Sequence, residues 1–372
     1  MTAALGSGHR DHGFHALRLA RVVAETADAA TFVLDVPADL AGAFAYRAGQ
    51  FCTFRVPVGG TPLLRCYSMS SAPGVDAELA VTVKRVPGGR VSNWMIDRLA
   101  AGDEVEVTLP AGVFCLTDGA EEDEAGERPL VAFAGGSGIT PVFSLIKVAL
   151  ATTSRPVRLL YANRDAGSVI FRSALDELAA AHPDRLTVAF HHDDESGYLD
   201  ETAVRAFAAG ALDGDHYVCG PTPFMDLVER VLLADGVDAD RFHIERFTPS
   251  DDPVASSPSG SAGAADEARA GNADREQESA GITVTIELDG RTETTAHHPG
   301  TTLLQTARQV GLSAPSSCEA GSCATCMGRL VEGAVEMFVN NALTDDEVAE
   351  GWVLTCQSVP TTPTVHVVYG FE

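Results

Sequence analysis

Cys318, Cys323, Cys326 and Cys356 are the residues whose type and spacing most plainly offer chemistry in this chain. Cys318-Glu-Ala-Gly-Ser-Cys323-Ala-Thr-Cys326 reads C-x4-C-x2-C, and Cys356 follows after 29 further residues. This is the known plant-type spacing for a [2Fe–2S] centre. Thiolates select soft metals. Gly321 and the small residues Ala320, Ser322, Ala324 and Thr325 let the backbone wrap closely and aim N–H groups at sulfur. Structural zinc is the alternative, but zinc knuckles favour paired C-x2-C hooks, and only one hook exists here. The spacing predicts a single-electron carrier.

A second constellation lies far upstream. Arg65-Cys66-Tyr67-Ser68 follows a strand-like run and puts a cation, an aromatic ring and a hydroxyl on one short segment. An arginine suits a flavin pyrophosphate, a tyrosine can stack on the isoalloxazine ring, and a serine can hydrogen-bond flavin N5. Ordinary strand packing explains the same tetrapeptide. Its context strengthens the flavin reading: Val83-Lys84-Arg85 and Gly88-Gly89-Arg90-Val91-Ser92 lead into a helical pattern at Asn93–Leu99. Free N–H groups at a helix start bind phosphate, although a hairpin turn also explains the glycines.

Ala134-Gly135-Gly136-Ser137-Gly138-Ile139-Thr140-Pro141 joins an apolar strand to a helix. Glycine there lets backbone amides approach a nucleotide pyrophosphate, and Pro141 fits a first helical turn. The segment lacks the six-residue dinucleotide fingerprint. Tyr161-Ala-Asn163-Arg164-Asp165 ends the next strand, where open parallel sheets bind ligands, and Arg164 could grip a ribose or a phosphate there. A surface loop is the other reading of Arg164. Cys219-Gly220-Pro221 ends a later strand, so Cys219 faces either a nicotinamide or the core as a small hydrophobe.

The elements that must position these residues fall into blocks. Short β-rich runs at 31–36, 50–56 and 79–85, punctuated by Gly and Pro, predict a small antiparallel barrel. An acidic insert, Glu121–Glu127, precedes a segment in which strands alternate with helices, which predicts a parallel sheet. Residues 249–280 are Ser, Ala, Gly, Pro, Asp and Glu with almost no large apolar side chain, so they read as a linker spanning about 30 Å if flexible. A strand over 282–288, a turn at Asp289-Gly290 and a helix over 303–310 then lead into the cysteine loop. The expected boundaries are a barrel over 12–117, a nucleotide-binding α/β domain over 128–248, the linker over 249–280 and a cluster domain over 281–372.

With 372 residues the chain is long enough for two or three domains. Its formal net charge of −26 argues against nucleic acid or an anionic membrane as partner. The last segment carries eleven acidic residues against three arginines, which suits either an acidic docking face or a solvated surface. No apolar run reaches the length of a membrane span, and the start, MTAALGSGHRDHGFH, lacks a secretory apolar core. With Cys52, Cys66, Cys115 and Cys219 scattered and read as reduced thiols, the expectation is a cytoplasmic protein.

Taken in order, Arg65-Cys66-Tyr67-Ser68, Gly136-Ser-Gly138-Ile-Thr140-Pro141, Cys219-Gly-Pro221 and the four cluster cysteines resemble the ferredoxin–NADP⁺ reductase-like superfamily with a C-terminal plant-type ferredoxin domain. Within it, Tyr161-Ala-Asn-Arg-Asp-Ala-Gly-Ser-Val-Ile-Phe171 and Ser92-Asn-Trp94 look like reductase components of Rieske-type 3-ketosteroid 9α-hydroxylase systems, and phenylacetyl-CoA epoxidase reductases share the domain order. The resemblance implies an FAD-binding barrel, an α/β nucleotide domain and an α+β, β-grasp-like [2Fe–2S] domain. It implies FAD on Arg65, Cys66, Tyr67, Ser68, Val83, Lys84, Gly89, Val91 and Ser92. It implies pyridine nucleotide on Gly136, Gly138, Thr140, Pro141, Asn163, Arg164, Cys219, Gly220 and Pro221. Glu245 and Phe247, in Ile244-Glu-Arg-Phe247, match the place where a carboxylate and an aromatic approach the flavin, and Ser68, Thr140, Cys219 and Glu245 are the implied catalytic set.

The expected chemistry is hydride transfer from the nicotinamide to flavin, then single electrons through the cluster to a terminal oxygenase. NADH is favoured because no basic cluster follows Tyr161, although Arg158, Arg164 and Arg172 leave NADPH open. Two rivals stand beside this reading. One is a flavin and iron–sulfur carrier that turns over no nucleotide. The other is a complete oxygenase, whose iron would need His9, His12 and His15 or His191-His192-Asp193-Asp194.

Overall fold

A computed structural model describes residues 13–116, 128–247, 281–288, 290–312, 314–316, 318, 319 and 321–369. The acidic insert Glu121–Glu127, the linker 249–280, His9, His12, Asp289 and Ala320 lie outside the described residues. The chain divides into two compact units, one of them Gly13–Phe247.

Within that unit, strands β1 (His15–Thr26), β2 (Ala29–Asp35), β3 (Phe51–Val58), β4 (Thr61–Ser68), β5 (Leu79–Lys84) and β6 (Glu104–Val107) form one antiparallel sheet. Their order is β4-β3-β6-β1-β2-β5. An antiparallel bridge from Met69 to Val81 joins the two edge strands and closes the barrel, which removes unpaired edges. Leu17, Leu19, Phe32, Phe54, Val81 and Val83 fill its interior. Helix α1 (Arg90–Arg98) covers it with Val91 and Met95.

The second half of the unit alternates β7 (Leu130–Gly135), α2 (Ile139–Thr152), β8 (Val157–Asn163), α3 (Arg172–Ala181) and β9 (Leu186–His192). A single turn α4 (Asp193–Ser196) precedes α5 (Glu201–Ala208), β10 (Asp215–Cys219), α6 (Thr222–Ala234) and β11 (Phe242–Glu245). All pairings are parallel, in the order β11-β10-β7-β8-β9. Every residue of β7, Leu-Val-Ala-Phe-Ala-Gly, is buried, as a central strand covered on both faces requires. From β7 the chain steps outward through β8 to β9, then returns to the other side of β7 as β10. The switch point, where such sheets bind ligands, therefore lies at the carboxyl ends of β7 and β10.

The other unit holds β12 (Thr283–Leu288), β13 (Arg291–Ala296), α7 (Leu303–Gln309), β14 (Met327–Glu332), β15 (Val335–Met337), α8 (Asp345–Ala349), β16 (Trp352–Leu354), β17 (Ser358–Pro360) and β18 (Thr364–Val368). Five strands run β13-β12-β18-β14-β16, with β15 and β17 paired apart. The residues of β12 alternate in burial, Val284, Ile286 and Leu288 facing inward to meet Leu303, Leu304 and Ala307 of α7. A reciprocal cap between Thr302 and Gln305 starts that helix, satisfying donors that would otherwise be orphaned.

Candidate functional site

At the switch point, Gly136–Gly138 make one tight 3-10 turn between β7 and α2. A Cβ on Gly138 would stand 2.1 Å from the Cys219 carbonyl oxygen, so helix α2 starts where only glycine fits against the end of β10. Gly220 packs on Gly135 in the same way, and Pro221 sits at the start of α6. The Tyr161 hydroxyl donates to the Gly136 carbonyl at 2.9 Å, which pins the turn from β8. Thr140, itself buried, donates to the Ser137 carbonyl at 3.1 Å. Neither α2 nor α6 has a side-chain cap at its amino end, which leaves N–H groups for an anion.

Asn163 ends β8 with its amide sealed from solvent and without a hydrogen bond of acceptable geometry on either polar atom, although the Tyr161 hydroxyl lies close enough to feel it. A buried amide of this kind costs free energy unless something bonds it. Together with the turn cleared of side chains, it is the observation by which these residues fit a dinucleotide. Arg164, next along, donates to Asp28 Oδ2 at 3.0 Å and to Ser168 Oγ at 3.1 Å. It is neither a loose surface arginine nor waiting alone for a ligand.

Cys219 and Glu245 close β10 and β11 as register partners. Cys219 is fully buried, and burial, helped by Glu245, pushes its thiol well above the ordinary value. Part of Glu245 still reaches the surface, but the protein around it lifts its carboxyl to about 7. Phe247 packs against the core of the parallel sheet.

Arg65, Cys66, Tyr67 and Ser68 are the last four residues of β4 itself, where the sequence placed them just after a strand. The Tyr67 ring lies edge-on to Phe54, with centroids 5.5 Å apart, and burial raises its hydroxyl pKa. Ser68 is buried, and Arg65 Nη1 donates to the Leu64 carbonyl at 2.7 Å. The side chains of Val83 and Val91 belong to the barrel core, so only their backbone is left for a cofactor. Gly89 opens α1, which has no side-chain cap. Ser92 and Asn93 tie the preceding loop instead, Ser92 accepting from Val86 N–H and Asn93 donating to the Gly89 carbonyl. A helix start stitched in place but uncapped fits the phosphates of FAD.

The seam between barrel and sheet is built from contacts that sequence motifs did not reveal. Ser144 of α2 donates to the Ser71 carbonyl at 2.6 Å, and Lys147 donates to the Ser70 carbonyl and pairs with Asp76. Lys147 also lies 4.4 Å over the Phe143 ring. These residues fix α2, and hence its amino end, against the loop that follows Arg65–Ser68. Asp28 likewise sits in a turn with no motif of its own.

In the other unit, Cys323, Cys326 and Cys356 are buried and Cys318 is half-buried. The loop carries Glu319 and Ala324 at φ 49° and 54°, conformations that L-residues rarely hold. A Cβ on Gly321 would come within 2.6 Å of the Val339 carbonyl oxygen. Backbone N–H groups of Cys318 and Ser322 point at Cys323 Sγ and Cys318 Sγ, each at 3.4 Å. Cys326 donates to Cys356, which holds the Cys356 thiol below its ordinary value and Cys326 well above. Among the described residues no three such side chains converge as one metal ion would require. A two-iron cluster divides its four thiolates between two metals. Three thiols in a loop that supplies N–H donors to sulfur, with Cys356 from the turn after β16, fit that group.

His191 and His192 lie beside Asp193 and Glu195 as 3.7 Å pairs, and they form no convergent metal site.

Fold and site define a pyridine-nucleotide-dependent flavoprotein oxidoreductase with an iron–sulfur domain. The family described as an oxidoreductase FAD-binding domain matches residues 16–115, the oxidoreductase NAD-binding domain matches 133–230, and the 2Fe-2S iron-sulfur cluster binding domain matches 286–361. The chain is 38% identical over 377 residues to the ferredoxin reductase component of 3-ketosteroid-9-alpha-monooxygenase from Mycobacterium tuberculosis, covering 99% of each chain. It is 33% identical over 369 residues to a 1,2-phenylacetyl-CoA epoxidase subunit from Escherichia coli K12, covering 95% of this chain and 97% of that one. Among solved structures, phthalate dioxygenase reductase superposes with a TM-score of 0.56 at 25% identity, over 96% of this chain and 98% of that one. The chain belongs to the family of ferredoxin reductase components that carry these domains on one polypeptide. It is an NAD(P)H-dependent oxidoreductase whose cofactors are FAD and a [2Fe–2S] cluster. Among the described residues no helix is long and apolar enough to cross a membrane.

Proposed function

We propose that this chain is the reductase component of a Rieske-type oxygenase system of the 3-ketosteroid 9α-hydroxylase kind, working in the cytoplasm and drawing on NADH. The observation that carries this reading is 38% identity along 99% of both chains to a reductase component of that system. The similarity to an epoxidase subunit, at 33% identity, supports a second reading with a different oxygenase partner.

When bound, FAD supplies the conversion of a two-electron donor into single electrons, and the cluster supplies a one-electron exit. The protein's part is positioning and electrostatics. Residues 12–117 would hold the flavin, Arg65 and the start of α1 at Gly89 binding its phosphates and Tyr67 and Ser68 its ring. Residues 128–248 hold the nucleotide, with Gly136, Gly138, Asn163 and Arg164 along its length. Thr140, Cys219, Glu245 and Phe247 would border the nicotinamide and the flavin ring. Burial keeps the Cys219 thiol uncharged at neutral pH, and holds the Glu245 carboxyl protonated below about 7 and ionised above it. Cys318, Cys323, Cys326 and Cys356 hold the cluster.

Anaerobic mixing with NADH should bleach the flavin absorbance, and failure to do so would sink the reductase reading in favour of a passive carrier. Adding the terminal oxygenase of a ketosteroid system with a 3-ketosteroid should give NADH-dependent hydroxylation. Product only with an epoxidase partner and its acyl-CoA would select the second reading. Hydroxylation without any partner would revive a complete oxygenase.

A further inference from the structure

Two ion pairs that join the barrel to the parallel sheet differ in character. The Lys147–Asp76 pair is largely enclosed, its side chains 12% and 35% exposed, and backbone contacts back it. The Arg164–Asp28 pair is open, with the arginine side chain 66% exposed. Asp28 is nevertheless held still: the Thr26 hydroxyl donates to its Oδ1 at 2.9 Å, and its own backbone joins Arg85 N–H at 2.7 Å. The exposed partner is the arginine, at the carboxyl end of β8 beside Asn163.

Asp28 also faces a second cation. Ala29, the next residue, pairs with Lys84 across β2 and β5. Burial pulls the Lys84 ammonium below its ordinary value, and Asp28 offsets part of that. A Cβ placed on Gly136 would lie 3.6 Å from Lys84 Nζ, so this ammonium stands over the glycine turn of the switch point. One carboxylate from the barrel thus sits among the cations beside the turn built for a dinucleotide's phosphates. Asp165, on the same loop as Arg164, is occupied by the Ser168 hydroxyl at 3.0 Å.

We propose that Asp28 is an internal counterion which the phosphates of the pyridine nucleotide displace from Arg164, so that Asp28 sets how tightly the nucleotide is held and how readily it leaves. This rests on the reading of Arg164 as a nucleotide contact. Asp28 acts through Arg164 and is a positioning residue. Exposed pairs contribute a modest free energy, so removing the competing carboxylate tightens binding by about two- to five-fold.

The test is calorimetric titration of the oxidised, FAD-loaded full chain with ADP-ribose, which carries the phosphates and cannot be reduced. Asp28→Asn is expected to bind about two- to five-fold more tightly, with slower release in stopped flow, while Asp28→Glu returns the affinity to that of the parent. Asp28→Ser, which also removes the charge, is expected to move in the same direction as Asp28→Asn. Tightening is not an effect that local misfolding produces. Arg164→Gln is expected to weaken binding and to reduce the effect of Asp28→Asn in the double variant to the part that Lys84 carries. Weaker binding in Arg164→Gln with unchanged or weaker binding in Asp28→Asn overturns the counterion and spares the nucleotide contact. Unchanged binding in Arg164→Gln removes the contact and the proposal with it.

Discussion

Cys219 and Glu245 lie side by side at the carboxyl ends of adjacent parallel strands, and the same crowding raises the pKa of both. Glu245 rises from 4.5 to about 7. Its folded-state pKa therefore exceeds its unfolded value, and ionising it penalises the fold. The penalty builds as pH climbs from the unfolded pKa through the folded one and is complete above about 7. Glu245→Gln should be more stable than the parent at pH 8 by up to about 3 kcal/mol, less for the water its exposed part keeps. The gain should vanish near pH 4, as thermal melts across that range would show. A gain independent of pH would contradict the assignment.

Gly138 has no room for a side chain, because the Cys219 carbonyl would be 2.1 Å from its Cβ. Gly138→Ala must push α2 away from β10. We expect a loss of about 1–3 kcal/mol in stability and roughly 100-fold slower flavin reduction by NADH. FAD content should stay near that of the parent, since the barrel is untouched. Stopped-flow reduction beside a flavin assay checks both.

The cluster and nucleotide functions sit in separate units. Cys326→Ser should lose the visible absorbance of the [2Fe–2S] cluster and electron delivery to the partner, while anaerobic NADH still bleaches the flavin. Loss of flavin reduction as well would show that Cys326 supports more than the cluster.

Ser144 is fully buried, and its hydroxyl satisfies the Ser71 carbonyl across the seam at 2.6 Å. Ser144→Ala leaves that acceptor without its side-chain donor. The expected cost is about 1–3 kcal/mol in chemical denaturation, with slower flavin reduction, because α2 carries the glycine turn. Parent-like behaviour in both would mean that the Lys147–Asp76 contact alone holds the helix.

Much of the fold was legible because the signals are local. The helix expected at 303–310 is observed at Leu303–Gln309, and the strand expected at 282–288 at Thr283–Leu288. The alternation of strands and helices after residue 128 announced a parallel sheet, which the register of β7 with β8 and β10 bears out. A barrel was expected from the short β-rich runs, but not where it closes, since the Met69–Val81 bridge joins segments whose pairing no periodicity records. Nor did residue type show that Val83 and Val91 would turn inward, leaving only their backbone for FAD.

By itself the sequence determined the chemistry available: four thiols at cluster spacing, glycine at a strand-to-helix turn, and an Arg-Cys-Tyr-Ser segment after a strand. Those are properties of neighbouring residues, written in types and intervals. Only the tertiary structure decided which of them meet. It set Cys219 beside Glu245, closed β10 onto Gly138, and brought Asp28 to Arg164 across 136 positions of sequence. Such pairings depend on strand order and on how barrel and sheet pack, which long-range burial fixes and no local pattern encodes.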